Sequence, residues 1–307
     1  MNKEINGVIV IDKPANITSA KVVAIIKKLF GAGKVGHAGT LDPEATGVLL
    51  CCINKATKLS RFFLTESKKY EAVLHLGVET DTQDATGKII STSDELNFTE
   101  KTIRAVFRQF EGTIEQVPPA FSALKHKGIP LYKLARKGKF VKKSSRHVFI
   151  SYNKLLKINM PFISFKVCCS SGTYIRTLCS DIGKELACGG HLKKLRRIES
   201  SGFTINEAVN LSELEQLFLT GAINDRIISM SDSLRNMPEY IADEFLTKKI
   251  KHGTILTTKE FMPRNTDNLK NFIKIVDTKN NLVAVLKFKK DSNSYNYCCV
   301  FNLLSNR

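Results

Sequence analysis

GHAGTLDPEATG, residues 36–47, gathers three glycines, a proline and two threonines around one aspartate, Asp42. Glycine reaches positive φ without a Cβ clash, and Pro43 fixes φ while removing a backbone donor. Such a composition builds a tight, irregular loop that holds the Asp42 carboxylate in one place. His37 stands five residues upstream, at the other end of the same loop. The apolar run VLLCCI, Val48–Ile53, follows at once and reads as a buried strand. Core structure therefore anchors the loop on at least one side, where functional loops tend to lie. Composition alone leaves two readings open: a positioned reactive carboxylate, or an Asx-type turn in which Asp42 only closes the backbone.

The chain of 307 residues has room for one large or two ordinary domains and a sizeable core. Apolar residues make up 43% and charged residues 25%, the usual balance of a soluble globular protein. No apolar run approaches the length of a membrane span, and the N-terminus lacks a signal-peptide pattern. The eight cysteines comprise three vicinal pairs (Cys51-Cys52, Cys168-Cys169, Cys298-Cys299) plus Cys179 and Cys188. No CxxC pair occurs, and vicinal side chains on a strand point to opposite faces. A disulfide framework and a zinc site are both excluded; reduced cysteines and a cytoplasmic location are expected.

The net charge is +18, and its distribution says more than its size. Between Gln116 and Ser180 there are thirteen Lys or Arg and no Asp or Glu, so this segment carries +13 and leaves +5 for the rest. A second cluster, HLKKLRR from His191 to Arg197, adds four positive charges. That asymmetry points to a polyanion, nucleic acid being the commonest; the competing reading is a lysine-rich solvated surface.

Taken in order, NGVIVID (6–12) reads as a short buried strand. KPANITS follows, with Lys13-Pro14 and Asn16 marking a turn and Thr18 or Ser19 able to cap a helix. That helix buries Val22, Val23, Ile26, Leu29 and Phe30 and exposes Lys21, Lys27 and Lys28. NKATKLSRFFL (54–64) predicts a helix with a basic outer face. In KKYEAVLHLGVETDT (68–82), Tyr70, Ala72, Leu74 and Leu76 alternate with Glu71, Val73 and His75, as in a strand. Taken alone, Tyr70 is an edge-strand aromatic. The acidic turn TDTQDATG (80–87) lacks the closing glutamate of a calcium loop, so no metal is expected there. Phe98–Phe110 is an amphipathic helix with Ile103, Val106, Phe107 and Phe110 on one face. Pro118-Pro119 forces an extended entry into the acid-free segment, and LYKLARKG reads as a short basic helix stopped by Gly138. Arg146–Ile158 and Phe162–Ser170 read as antiparallel strands joined through Met160-Pro161. Ile175, Leu178, Ile182 and Leu186 recur at helical spacing, so a helix begins near Tyr174. Arg176 falls in its first turn, a poor place for a cation on dipole grounds; such a charge calls for an anion, RNA or Asp42. From about Asn236, a short helix (241–251) and the strands FIKIVD, LVAVLKF and YCCVFN predict a small β-rich C-terminal domain.

GHAGTLDPEATG resembles the catalytic motif of the TruB-type tRNA pseudouridine-55 synthases, whose pattern is close to GHxGTLDPxATG. The KPANITS turn is similar to that family's KPxGxTS, with Asn16 where Gly is usual; Asn tolerates positive φ next best, so the turn is expected to survive. Tyr70 fits K-x-Y-x-x-x-x-x-L-G, residues 118–138 fit PPxFSALKxxGxxLYxxARxG, and residues 172–177 fit G-T-Y-I-R-[ST]. The resemblance runs from about Val8 to Phe203, and more loosely beyond.

What the resemblance implies is an α+β chain with the pseudouridine synthase fold: a mixed, mostly antiparallel sheet flanked by helices. It implies a catalytic domain at 1–235 with an RNA-binding insertion at about 116–147, then a PUA-like RNA-binding domain at 236–307. The activity implied is isomerisation of the T-loop uridine 55 of tRNA to pseudouridine, through a flipped-out base. That reaction breaks the C1′–N1 bond and rejoins the uracil through C5, with no metal, redox or nucleotide cofactor. Asp42 is implied as the reacting carboxylate, kept ionised and oriented by Arg176. Tyr70 would stack on the uracil and act as general base, Tyr174 and Leu195 would shape the pocket, and His37 would fill the space the base vacates. The expected partner is the T arm of tRNA, met by a cytoplasmic monomer with no membrane contact. Two alternatives remain: a non-catalytic RNA-binding or tRNA-folding protein, and a guide-RNA-complex type of pseudouridine synthase.

Overall fold

The computed structural model describes residues 4–141, 143–258 and 272–301. Strands β1 (Gly7–Lys13) and β3 (Thr46–Ile53) pair antiparallel, Gly7 opposite Ile53 and Lys13 opposite Gly47. Val8–Ile11 and Val48–Ile53 are unbroken apolar runs because both faces are covered. Val8, Val10, Val48 and Leu50 enter one core, while Ile9, Ile11, Leu49 and Cys51 enter another. Helix α1 (Ser19–Leu29) closes the second core with Val22 and Ile26, and Thr18 caps it by accepting from the Lys21 N–H at 3.1 Å. A short β2 (Val35–His37) pairs with the far end of β3 and leads into the Asp42 loop.

The segment expected as one helix at 54–64 is a 3-10 turn (Asn54–Leu59) followed by α2 (Ser60–Leu64). Next come β4 (Lys68–Leu76), the hairpin β5 (Val78–Thr80) and β6 (Ile89–Thr92), and α3 (Glu100–Gln109). β7 (Gly112–Gln116), the small ladder β8 (Lys125–His126) and β9 (Ile129–Pro130), and α4 (Leu131–Ala135) follow. Then β10 (Arg146–Asn159) and β11 (Phe162–Cys169) form the predicted hairpin, and α5 (Ile175–Glu185) succeeds it. β12 (Gly190–Ser200), β13 (Phe203–Thr204), β14 (Val209–Asn210) and α6 (Leu214–Leu219) complete the main body.

The principal sheet runs β14-β1-β3-β12-β4-β11-β10-β7, with β2 on β3 and β13 on β12; only β1–β14 and β3–β12 pair parallel. It is the mixed, mostly antiparallel sheet of the α+β expectation. β4 lies between β12 and β11, so Tyr70 belongs to a central strand, not an edge. Its alternation holds: Tyr70, Ala72, Leu74 and Leu76 are buried, and α3 and α5 cover that face.

HLKKLRR, counted as a second surface cluster, is instead the middle of β12. Arg197 is 1% exposed, and Arg196 is paired with Asp12 at 2.7 Å. Lys193 and Lys194 face solvent, and Arg196 is 40% exposed on its side chain. The second cluster therefore does not offer four charges to a polyanion.

The C-terminal part is a separate sheet, β15-β17-β18-β19-β16, made of β15 (Glu239–Ile241), β16 (Leu256–Thr257), β17 (Phe272–Val276), β18 (Leu282–Lys289) and β19 (Ser294–Val300). Helix α7 (Glu244–Lys251) packs on it through Leu246 and Ile250. Val276, Val285 and Phe301 share a core with Val8 and Val48, and Phe62 meets Phe272 edge-on at 5.3 Å. The two sheets are thus joined by apolar packing.

Gly47, where β3 begins, has φ +102°, and a Cβ there would lie 2.2 Å from the Arg197 carbonyl oxygen. The backbones of β3 and β12 meet at that glycine. Gly47→Ala is expected to destabilise the fold by about 3 kcal/mol or more, combining a forbidden φ with a backbone clash. The urea midpoint at unchanged m-value checks this.

Candidate active site

Gln116, at the end of β7 and 1% exposed, clamps the start of α5. Its Nε2 donates to the Tyr174 carbonyl at 3.0 Å, and its Oε1 accepts from the Tyr174 N–H at 2.7 Å. Tyr174 is the N-cap and supplies no side-chain cap; Gln116 instead fixes that residue's own N–H and carbonyl. Its ring lies under the Arg146 guanidinium, 5.0 Å from the ring centre.

Arg176, in the first turn of α5 and 5% exposed, resolves the choice between RNA and Asp42 left open by its sequence position. Its Nε lies 3.1 Å from Asp42 Oδ2, and its Nη1 3.3 Å from Asp84 Oδ2. Nη1 also donates to the Thr82 carbonyl at 3.2 Å, and Nη2 to the Phe121 carbonyl at 2.8 Å. Every side of this guanidinium has an oxygen partner, which offsets both its burial and the opposing helix dipole. Asp42 remains 43% open on its side chain, so part of the carboxylate faces solvent.

Asp84 comes from the TDTQDATG turn. Its Oδ1 accepts from Thr82 Oγ1 at 2.7 Å, and from the Thr86 N–H and Oγ1 at 3.0 and 2.6 Å, leaving Oδ2 for Arg176. Among the described residues, no group of three or more His, Cys, Asp or Glu could hold a metal.

The Asp42 loop is pinned from the opposite side by the KPANITS turn. Lys13 has no exposed surface, and its Nζ donates to the carbonyls of Pro14, Ile17 and Pro43 at 2.8, 2.7 and 3.0 Å. Burial pulls its pKa down to about 8, against the attraction of Glu44 and Asp42. Ser19 does not cap α1; its hydroxyl accepts from the Leu41 N–H at 2.9 Å and donates to the Leu41 carbonyl at 3.0 Å. Asn16 adopts φ +63°, and its amide, with the nitrogen toward Glu44, donates to that carboxylate at 3.0 and 3.3 Å. The residues flanking Asp42 are therefore held on both sides.

Tyr70 and Leu41 share one apolar cluster, and Leu195 packs against it from β12. Arg197 stands opposite Tyr70 across the β4–β12 ladder, and its Nε and Nη2 donate to the carbonyls of Val48 and Gly39 at 2.7 and 3.0 Å. Burial pushes the Tyr70 phenol above its ordinary pKa, more than Arg197 lowers it. His37 ends β2; burial, then Arg197, lowers its pKa, and its Nδ1 has no partner. It is neutral at neutral pH.

Residues 27–175 match the TruB family pseudouridylate synthase (N terminal domain), and residues 176–237 match the tRNA pseudouridylate synthase B C-terminal domain. The tRNA pseudouridine synthase B of Syntrophotalea carbinolica is 46% identical over 236 residues, 76% of each chain. That of Syntrophus aciditrophicus is 40% identical over 287 residues, 92% of this chain and 91% of the relative. The chain belongs to the TruB family. It is a tRNA pseudouridine synthase, an isomerase. Similar solved structures include a Cbf5-Nop10-Gar1 complex, at 29% identity and TM-score 0.73 over 92% of this chain and 78% of that one. Another is an H/ACA RNP bound to a substrate RNA containing 2′-deoxyuridine, at 25% identity and TM-score 0.72 over 96% and 85%. The five-stranded sheet from Glu239 onward lies beyond both family matches, whereas residues 176–237 build β12 to β14 of the main sheet.

In this TruB synthase the electrostatics of Asp42 have a definite sign. Its inner side is walled in, and that desolvation raises its pKa above the ordinary carboxylate value. Arg176 pulls it down, Asp84 adds to the rise and Lys13 opposes it. A reaction needing ionised Asp42 is lost as pH falls through this raised pKa, so its acid limb lies above that of an ordinary aspartate. Arg176→Gln removes the strongest lowering influence and is expected to move the acid limb to higher pH in the folded enzyme. A pH–rate profile under single-turnover conditions checks it; an unmoved or lowered limb would contradict the pairing.

Proposed function

We propose that this synthase converts uridine 55 in the T arm of tRNA, with Asp42 as the carboxylate that meets the flipped nucleotide. The observation that carries the reading is the Asp42–Arg176 pair, buried on one side and open on the other, at the root of the exposed basic segment. Phe121, which begins that segment, gives its carbonyl to Arg176. Lys125, Lys127, Lys133, Arg136, Lys137 and Lys139 then lie exposed beyond it; Lys142 lies outside the described residues. Phosphates held by that segment set affinity, while the pocket selects the base.

Extrusion of the base costs a few kcal/mol, which stacking must offset. Tyr70 and Leu195 supply an apolar wall, Tyr174 shapes the rim, and neutral His37 fills the vacated stack. Tyr70 is assigned to stacking and hydrogen bonding: a phenol whose pKa is raised holds its proton at pH 7, and a proton-bearing phenol is no base. The β-rich unit from about residue 236 is assigned a PUA-like, RNA-binding role, and the enzyme acts as a cytoplasmic monomer. Relatives named as tRNA pseudouridine synthases are closer in sequence, at 40–48%, than the H/ACA assemblies, at 25–29%, which favours free tRNA as substrate over a guide-RNA complex.

Joining C1′ to C5 expels the C5 hydrogen, so tritium release from C5-labelled uridine reports the reaction. A tRNA transcript is expected to release one equivalent, and the same transcript with the T-loop target replaced by cytidine none. Undiminished release from the control would overturn the assignment to uridine 55. Charge reversal at Lys125, Lys133 and Arg136 together is expected to weaken tRNA binding and reduce the slope of log affinity against log salt by about 2 to 3. An unchanged slope would show that this segment does not face RNA.

A further inference from the structure

Helix α5 starts without the usual devices. Its N-cap, Tyr174, supplies no side-chain cap, its first turn holds no acid, and Arg176 stands there against the dipole. The aim of Arg176 on Asp42 depends on where that first turn lies, and Gln116 fixes it. The Tyr174 N–H belongs to the peptide plane before that residue, and its carbonyl to the plane after it. One planar amide bonded to both therefore fixes how the two planes turn about φ and ψ. Gln116 Oε1 accepts from the N–H at 2.7 Å and Nε2 donates to the carbonyl at 3.0 Å, with Tyr174 at φ −99° and ψ 112°. That carbonyl also accepts from the Leu178 N–H at 3.0 Å, so Gln116 bonds the first oxygen of the helical ladder itself.

Gln116 does not hold Tyr174 alone. Across the β7–β10 ladder it stands opposite Arg146, and residues opposite each other in a ladder share a face of the sheet. Arg146 donates through Nη2 to the Gly172 carbonyl and lays its guanidinium over the Tyr174 ring, 5.0 Å from the centre. One rung thus holds the Tyr174 backbone with one residue and the Tyr174 ring with the other. The same rung closes the basic segment, which leaves the sheet after Gln116 and rejoins it at Arg146. Two residues beyond Tyr174, Arg176 meets Asp42 at 3.1 Å and the Phe121 carbonyl at 2.8 Å.

We propose that Gln116 is a positioning residue for the isomerisation: from the rung that closes the basic segment, it sets the first turn of α5 and with it the aim of Arg176 on Asp42. The inference rests on the reading that makes Asp42 the reacting carboxylate. At 1% exposure Gln116 has no surface to offer a nucleotide, so it acts through Tyr174 and Arg176. Glutamine suits the position because its amide presents a donor and an acceptor side by side; an ionised glutamate lacks the donor, and methionine lacks the pair. A misplacement of about 1 Å at a reacting group costs about 100-fold in rate, which is the scale on which such a clamp acts.

Gln116→Met keeps the length and removes the amide, and its single-turnover conversion of the tRNA transcript, followed across pH at saturating enzyme, is the test. The rate is expected to fall about 30- to 100-fold, with the tRNA Kd within about threefold. The slope of log affinity against log salt should not change, because no phosphate-binding charge is altered. An Arg176 held loosely lowers the Asp42 pKa less, so the acid limb should move to higher pH. In an Arg176→Gln background the same substitution should move the limb no further. A rate within about threefold of wild type, an unmoved acid limb, or a limb that moves equally in both backgrounds would overturn this inference alone and leave Gln116 a structural clamp. A flattened salt slope with a normal rate would overturn it too, and assign the rung to RNA binding. A wild type silent on the uridine transcript would instead overturn the functional reading, and this inference with it. Gln116→Asn keeps the amide but falls one methylene short, and carries the same expectations where the Met variant does not fold.

Discussion

Arg176 brings a buried positive charge to a point that three distant segments must share. Asp42 comes from the loop before β3, Asp84 from the turn after β5, and the Phe121 carbonyl from the start of the basic segment. Each supplies an oxygen that would be poorly satisfied without the guanidinium. Removing the guanidinium would leave the Asp84 carboxylate, 19% exposed, without its cation, and breaking a buried pair costs about 3–5 kcal/mol. The same interaction therefore fixes the geometry around Asp42 and couples it to the exposed basic segment. Two effects compete at Asp42, and desolvation outweighs the pairing, so its pKa ends up raised. A carboxylate poised above its ordinary pKa yet open on one edge is more basic and more nucleophilic than a solvated one.

The loop would not hold that geometry through Arg176 alone. Lys13 and Ser19 bind its backbone from the far side, at Pro43 and Leu41, the two residues that bracket Asp42. Beneath it, Arg197 holds Gly39 and Val48. These groups compensate their burial with carbonyl oxygens rather than carboxylates. The field under the loop therefore stays positive, and no second acid competes with Asp42 from below.

Local patterning made most elements legible. Period-2 alternation marked β4, helical spacing marked α3 and α5, and Gly, Pro and Asn marked the turns, including the positive φ at Asn16. HLKKLRR misled because its two arginines are engaged by distant partners: Arg196 meets Asp12, 184 residues away in sequence, and Arg197 meets the Gly39 carbonyl of the Asp42 loop. No local pattern reports a contact of that range. Asp84 was hidden for a similar reason. Its turn was visible, but its function depends on α5 bringing Arg176 alongside. Ser19 read as a cap, because capping and clamping use the same hydroxyl. The short segment 54–64 read as one helix because 3-10 and α turns share apolar spacing over so few residues.

An ionisable carboxylate at residue 42 is proposed to perform the isomerisation. Asp42→Asn tests it most directly, since it keeps size and hydrogen-bonding capacity and removes only the ionisable group. Single-turnover rates and tRNA affinity should be measured on protein shown by mass to be free of deamidation. The account predicts turnover below about one percent of wild type, with affinity within about threefold. Residual turnover above that level, in correctly folded protein, would contradict it and move the chemistry to another group in the cleft.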